Sequence, residues 1–281
     1  MSRFIQWLIH FWLNLTGRKV DVERFPFLNG PMGISSEIGD QFYKEVADQE
    51  GLEVREEEGG LLTDFREVLD PTSPHYDTLI PEIARFYEQT SQYSLEVWTK
   101  WIPPVSWLAH IIIRIVSVEM KQLNIPIDEL DTSYGMTSKV IRLVEKNGTV
   151  RYTCWLRKSN KSDRVVYAGF YSGFQLEETS HKYVRVVFPL PKGNVTVVLR
   201  VELLPDGSVD LVSRGRGFGG IGYYRLHKNK RGILKARMIP IKESIHVFKD
   251  EEGTLRTDHI FSWWKRKFLH LHYKIIPRSK A

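Results

Sequence analysis

From residue 137 onward the apolar residues of this chain recur at every second position, and that period constrains the fold more than any other feature. A period of two belongs to extended strands with one face buried. Val195, Val197, Leu199, Val201 and Leu203 share one phase, and Thr196, Arg200 and Glu202 share the other. Leu269, Leu271, Tyr273 and Ile275 alternate in the same way with His270, His272 and Lys274. Further runs at 140–146, 150–157, 165–171, 183–190, 209–212, 221–227, 234–248 and 255–263 are separated by turn signals. These include Asn147-Gly148, Asp206-Gly207 and Glu252-Gly253. Two-residue Asn-Gly loops between alternating runs are hairpin signals. The pattern predicts about nine or ten short strands in an antiparallel meander or barrel-like sheet, without alternating βαβ units.

Helical spacing replaces alternation in the first half. Positions 1–16 carry Phe4, Ile5, Leu8, Phe11, Trp12 and Leu15 on one face of a helix, and Arg3, Gln6, His10 and Asn14 on the other. His10 and Asn14 interrupt the apolar run that a secretory leader requires, and the segment is too short and polar to span a bilayer. An amphipathic helix with Trp residues and the basic flank Arg18-Lys19 suits a membrane interface or the protein's own core. Helices are also expected at 36–50, capped by Ser35 or Ser36, at 79–98, and at 105–123, where His110 and Arg114 break an apolar stretch. Pro103-Pro104 separates the last two. The expected class is therefore α+β, with an acidic helical part packed on a large antiparallel sheet. Its divisions are an amphipathic helix at 1–19, a loop-rich and helical region at 20–130, and a sheet domain at 131–281.

Charge follows the same division. Residues 1–130 carry a net −10 and residues 131–281 a net +16, within an overall +6. Such a split leaves a basic half for an anionic partner. The single cysteine, Cys154, excludes an internal disulfide and lies in an apolar run, where it reads as a small core residue.

No motif names a reaction. The segment Arg214–Arg225 holds five glycines but lacks the Lys-Ser/Thr of a phosphate loop and the strand-then-helix context of a dinucleotide fingerprint. It reads as a bulged loop, with anion capture by backbone amides beside Arg214 and Arg216 as the functional alternative. His270 and His272 form two legs of a metal site without a recognisable third, so no metal and no cofactor are expected. There is no Gly-x-Ser-x-Gly elbow. Acid–base chemistry, if present, falls to His246, His259, Tyr273 or Asp131. The hydroxyl-rich connector 131–138 could line a pocket where helix meets sheet.

Two further groups concern partners. Tyr152, Phe170, Phe188 and Tyr273 are the expected inward aromatics of the sheet, where an apolar ligand could sit. Trp263, Trp264, Lys265, Arg266 and Lys267, together with Trp7, Phe11 and Trp12, combine indoles and cations as membrane interfaces do. The leading expectation is a binding protein for an apolar or amphipathic anionic ligand such as an anionic lipid, cytoplasmic or peripheral on the inner face of a membrane. An enzyme acting on a small or lipid-like substrate in the same cup is the alternative. Nucleic-acid binding by the basic half ranks last, because no reader motif is present. The oligomeric state is not legible.

Overall fold

A computed structural model describes residues 15–33, 38–56, 59–103, 136–163, 165–176, 179–215, 217–229 and 231–278. The expected helix at 105–123, most of that at 1–16, and Ser35, Ser36, Trp7, Phe11, Trp12, Asp131 and Arg216 lie outside these residues.

Among the described residues, fourteen strands form one sheet. They are β1 (Arg18–Lys19), β2 (Glu53–Arg55), β3 (Tyr93–Trp101), β4 (Met136–Val144), β5 (Val150–Ser159), β6 (Val165–Gln175), β7 (Lys182–Leu190), β8 (Gly193–Leu203), β9 (Val209–Val212), β10 (Gly222–Lys228), β11 (Leu234–Ile239), β12 (Ile241–Lys249), β13 (Leu255–Trp263) and β14 (Arg266–Pro277). Two α-helices lie wholly among the described residues, α1 (Phe42–Glu50) and α2 (Pro81–Glu88). The main path runs β2-β4-β5-β6-β7-β8-β9-β12-β13-β14-β3, and every strand pair is antiparallel. The path curls without closing into a barrel. Its far end is tied back where Arg278 Nη2 donates to the carbonyl of Ser138 at 3.3 Å.

The sheet forks at β8. The lower part of β8 pairs with β9 from Arg200 to Leu203, and its upper part pairs with β10 from Gly193 to Val198. β10 continues into β11 and β1, while β9 continues into β12. A single strand over 234–248 was the expectation, but Pro240 splits it into β11 and β12 on separate branches of the fork. Proline offers no amide to a ladder, so the chain can leave one branch there and enter the other.

The expected helix at 79–98 is shorter than predicted. It starts with Pro81 in its first turn and buries Ile83, Phe86 and Tyr87. From Tyr93 the chain becomes β3, pairing with β14 from Tyr93↔Pro277 to Trp101↔Leu269. Tyr93, Val97 and Thr99 are buried on one face, so their spacing of two and four served a strand. Among the described residues the first half thus supplies strands β1, β2 and β3 as well as the two helices packed on the sheet.

The concave face holds the largest core. Leu61, Phe65, Leu69, Ile83, Phe86 and Tyr87 fill its lower end against Val184, Val197, Leu211 and Val247. Gly60 lies so close to α2 that a Cβ would meet Tyr87 O at 2.1 Å. Gly207, at φ +82, accepts from Ile80 N at 3.0 Å and fixes the start of α2 to the β8–β9 turn. On the convex face, α1 buries Phe42, Tyr43 and Val46 against Ile141, Tyr152, Cys154 and Phe170. Phe27 and Leu28 cover Tyr183, Val198 and Tyr224.

Candidate functional site

Four strands carry acids and histidines to both faces of the sheet. On the concave face, Ile241, Glu243, Ile245 and Val247 share the inward phase of β12, and Glu243 is 6 % exposed. A carboxylate there needs partners. Tyr223 Oη donates to its Oε2 at 2.6 Å, and His259 Nε2 meets Oε1. Its own amide donates to Ser213 Oγ at 2.7 Å, while Ser213 N donates back to Glu243 O at 3.0 Å. This cluster stands at the fork, where β10 and β12 diverge and backbone groups lose strand partners.

Phenols surround the pair. Tyr167 and Tyr171 share a hydrogen bond of 2.5 Å. Burial, then Glu243, raises Tyr223 well above the usual phenol range, and burial, then Tyr171, does the same for Tyr167. Burial also raises Tyr273, although Arg157 opposes it. All three therefore stay neutral and serve as hydrogen-bonding groups rather than anions. Arg157, 5 % exposed, lays its guanidinium over the rings of Trp155 at 5.3 Å and Tyr273 at 5.5 Å. Its Nε is buried without a hydrogen-bond partner, and no carboxylate among the described residues pairs with it. The Trp155 indole donates to Ser138 Oγ at 2.8 Å. Above this polar belt lies a second apolar group: Val97, Phe268, Leu269 and Leu271, with Trp101, Met136 and Phe261 packed on it.

The convex face of the same strands holds a different cluster. His270 Nε2 and His272 Nδ1 both donate to Asp258 Oδ1, each at 2.8 Å. Burial opposes ionisation of Asp258, but the bonds from His272 and His270 outweigh it and hold the carboxyl below its usual range. His246, which the register sets opposite Asp258, bonds Asp210 at 2.7 Å and stacks on Phe248.

The expected residues divide accordingly. His259, Tyr273 and Phe188 face the concave side, and Phe188 packs edge-on against Tyr167. Tyr152 and Phe170 do not: their strand phase places them on the convex face, under α1. Tyr152 is bracketed by Arg151 and Arg185, each 5.7 Å from its ring. His246 is on the convex face and shares no cluster with His259. Two amides of the glycine loop are already occupied, since Gly219 N and Gly220 N both donate to Tyr224 Oη at 3.1 Å. Arg214 is exposed beside it. Cys154 is buried, and burial pushes its thiol up to about 12. Trp263, Trp264, Lys265, Arg266 and Lys267 are all exposed at the β13–β14 turn. Trp264 is 68 % exposed with φ +52, held by its amide donating to Pro240 O at 3.1 Å.

Glu243, Tyr223 and Arg157 were not singled out from the sequence; Asp258 adjoins His259 there, but neighbouring residues of a strand point to opposite faces. A signal for the first existed: Glu243 is the charged residue in an apolar phase, Ile241-x-Glu243-x-Ile245-x-Val247. Arg157 is in phase with Trp155 in the same way.

Among the described residues no helix is long and apolar enough to cross a membrane. No family model matches the chain, and no solved structure matches it. It is similar to the uncharacterized membrane protein YndJ of Bacillus subtilis (strain 168), with 26% identity over 205 residues. The match covers 71% of this chain and 35% of that relative, so the chain spans about a third of the relative's length.

Proposed function

We propose that this chain is a membrane-surface binding domain whose β13–β14 turn docks on anionic lipid headgroups. The observation that carries this reading is the turn itself. It exposes Trp263, Trp264 and three successive cations, and it holds Trp264 in a left-handed conformation that bulky residues avoid. Strain of that kind persists where the surroundings impose it, and it clusters at functional positions. Indoles and Lys/Arg side chains partition together at the headgroup level, where each cation contributes about 1 kcal/mol near an anionic surface. Exposed Lys161, Lys192 and Arg214 stand at the same end of the sheet, in turns that join strand ends on this side. The strand ends flanking residues 104–135, at Trp101 and Met136, share the apolar group there. The name of the Bacillus relative agrees with a membrane setting.

Co-sedimentation of the full chain with phosphatidylcholine vesicles, with and without phosphatidylglycerol, tests the proposal. Binding is expected only with the anionic lipid, with a blue-shifted Trp emission. Trp264→Ser combined with Lys265→Glu and Lys267→Glu should weaken it at least about tenfold, given roughly 1 kcal/mol per cation. A wild-type chain that ignores anionic vesicles at low salt sinks the idea.

A second reading concerns the concave face, where Arg157 is an inward cation between aromatic rings below an apolar group. That arrangement suits the anionic head of an amphipathic ligand, with Glu243–His259 as an acid–base pair if chemistry follows. Organic extraction of gently purified protein and mass spectrometry of the extract test it. A stoichiometric acidic amphiphile supports the reading, and a clean extract removes it.

A further inference from the structure

We propose that Asp258, His270 and His272 bind a divalent transition-metal ion of the zinc type on the convex face of the sheet. His270 and His272 are two apart in β14 and so project from one face. Asp258, on β13, lies directly opposite His272 and diagonal to His270. Their three ligand atoms fall within 4.8 Å of one another. Zinc holds imidazole nitrogen at about 2.0–2.1 Å and carboxylate oxygen at about 2.0–2.2 Å, which sets tetrahedral neighbours about 3.3 Å apart. The two nitrogens now stand 2.8 Å from Asp258 Oδ1. Small side-chain rotations would open room for the ion, while the β12–β13–β14 ladders hold the backbone.

The donor set selects the metal. Two imidazoles and one carboxylate suit zinc, nickel, copper or ferrous iron rather than calcium or magnesium, which prefer oxygen shells. Each ring nitrogen now donating to Asp258 would become a ligand, its proton passing to the other ring nitrogen or, from a protonated ring, to water. All three side chains are about one-third exposed, so the remaining coordination positions face solvent. Trp98 flanks His272 with ring centroids 5.8 Å apart and walls one side. Three protein ligands with an open position is the arrangement of metal sites that bind water or substrate.

The test uses the full chain stripped with chelator and titrated with Zn²⁺ by calorimetry, and with Co²⁺ by visible absorption. One equivalent is expected to bind. His270→Ala, His272→Ala and Asp258→Asn should each weaken it at least about tenfold, the loss seen even for residues that only support ligands. His75→Gln should leave it unchanged. Absence of saturable binding up to millimolar Zn²⁺ overturns the proposal, as does binding indifferent to both His270→Ala and His272→Ala. If a variant loses its circular dichroism spectrum, the unmodified chain decides. Intensified Co²⁺ bands, displaced by Zn²⁺, support the site, and the pale spectrum of the aqua ion overturns it.

Discussion

Strands β12 to β14 carry two acid–histidine clusters on opposite faces, and burial makes them different devices. On the concave side Glu243 and His259 are 8 % and 15 % exposed in their side chains, and Tyr223 completes the carboxylate's bonding. On the convex side Asp258, His270 and His272 are each about one-third exposed. In the interior a lost partner leaves a polar group with nothing to bond, whereas at the surface water replaces it. The inner cluster is therefore bound to the fold's integrity at the fork, and the outer one is free to exchange its proton for a metal.

The largest break in this comparison is Glu243→Ala. It leaves the Tyr223 hydroxyl and the His259 ring buried without their acceptor, and we expect a loss of about 3 kcal/mol, within the range for breaking a buried pair. Urea denaturation of the variant measures it. An unchanged midpoint would mean that water reaches the cluster. Tyr223→Phe tests the same site more gently. It removes one 2.6 Å bond to a carboxylate, and a loss of about 1.5–3 kcal/mol is expected from the same measurement.

Asp258→Asn, the matching change on the outer face, should move stability by less than about 1 kcal/mol without metal, because the group is partly solvated. Excess Zn²⁺ should raise the melting temperature of the wild-type chain and leave the variant's unmoved, since only a native-state ligand shifts the unfolding equilibrium. Equal destabilisation by Glu243→Ala and Asp258→Asn would erase the distinction between the faces.

Why one cluster was half-visible in the sequence and the other was not follows from what alternation encodes. Period two assigns residues to faces, and so it placed His270 and His272 together and separated Asp258 from His259. It does not say which strands are neighbours. Asp258 became the third member through the β13–β14 register, and Tyr223 reached Glu243 only because the sheet forks at β8. The same blindness put Tyr152 and Phe170 on the wrong face, since two faces that are both buried look alike in hydrophobicity. The turns were easier. Gly148 and Gly207 adopt the positive φ that their Asn-Gly and Asp-Gly signals imply, because turn chemistry is local. Tyr93–Trp101 was misread because an apolar spacing of four fits both periods, and its partner β14 lies far along the chain.

A third histidine environment sharpens the contrast with the smallest effect. His227 is 4 % exposed in β10. Burial, then the neighbouring charge of Arg225, holds its imidazole below the ordinary value. The folded chain thus refuses a proton that the unfolded chain accepts. Between the depressed folded value and the ordinary one near 6.5, the unfolded state binds more protons, so stability falls as pH drops through that window. Below the folded value both states are protonated and the dependence ends. Unfolding free energies of wild type and His227→Gln, compared from pH 7.5 downward, should differ in slope across this window alone, with the variant flatter. A parallel pair of curves would show that His227 takes up its proton as easily folded as unfolded, and that burial beside Arg225 costs the charged ring nothing here.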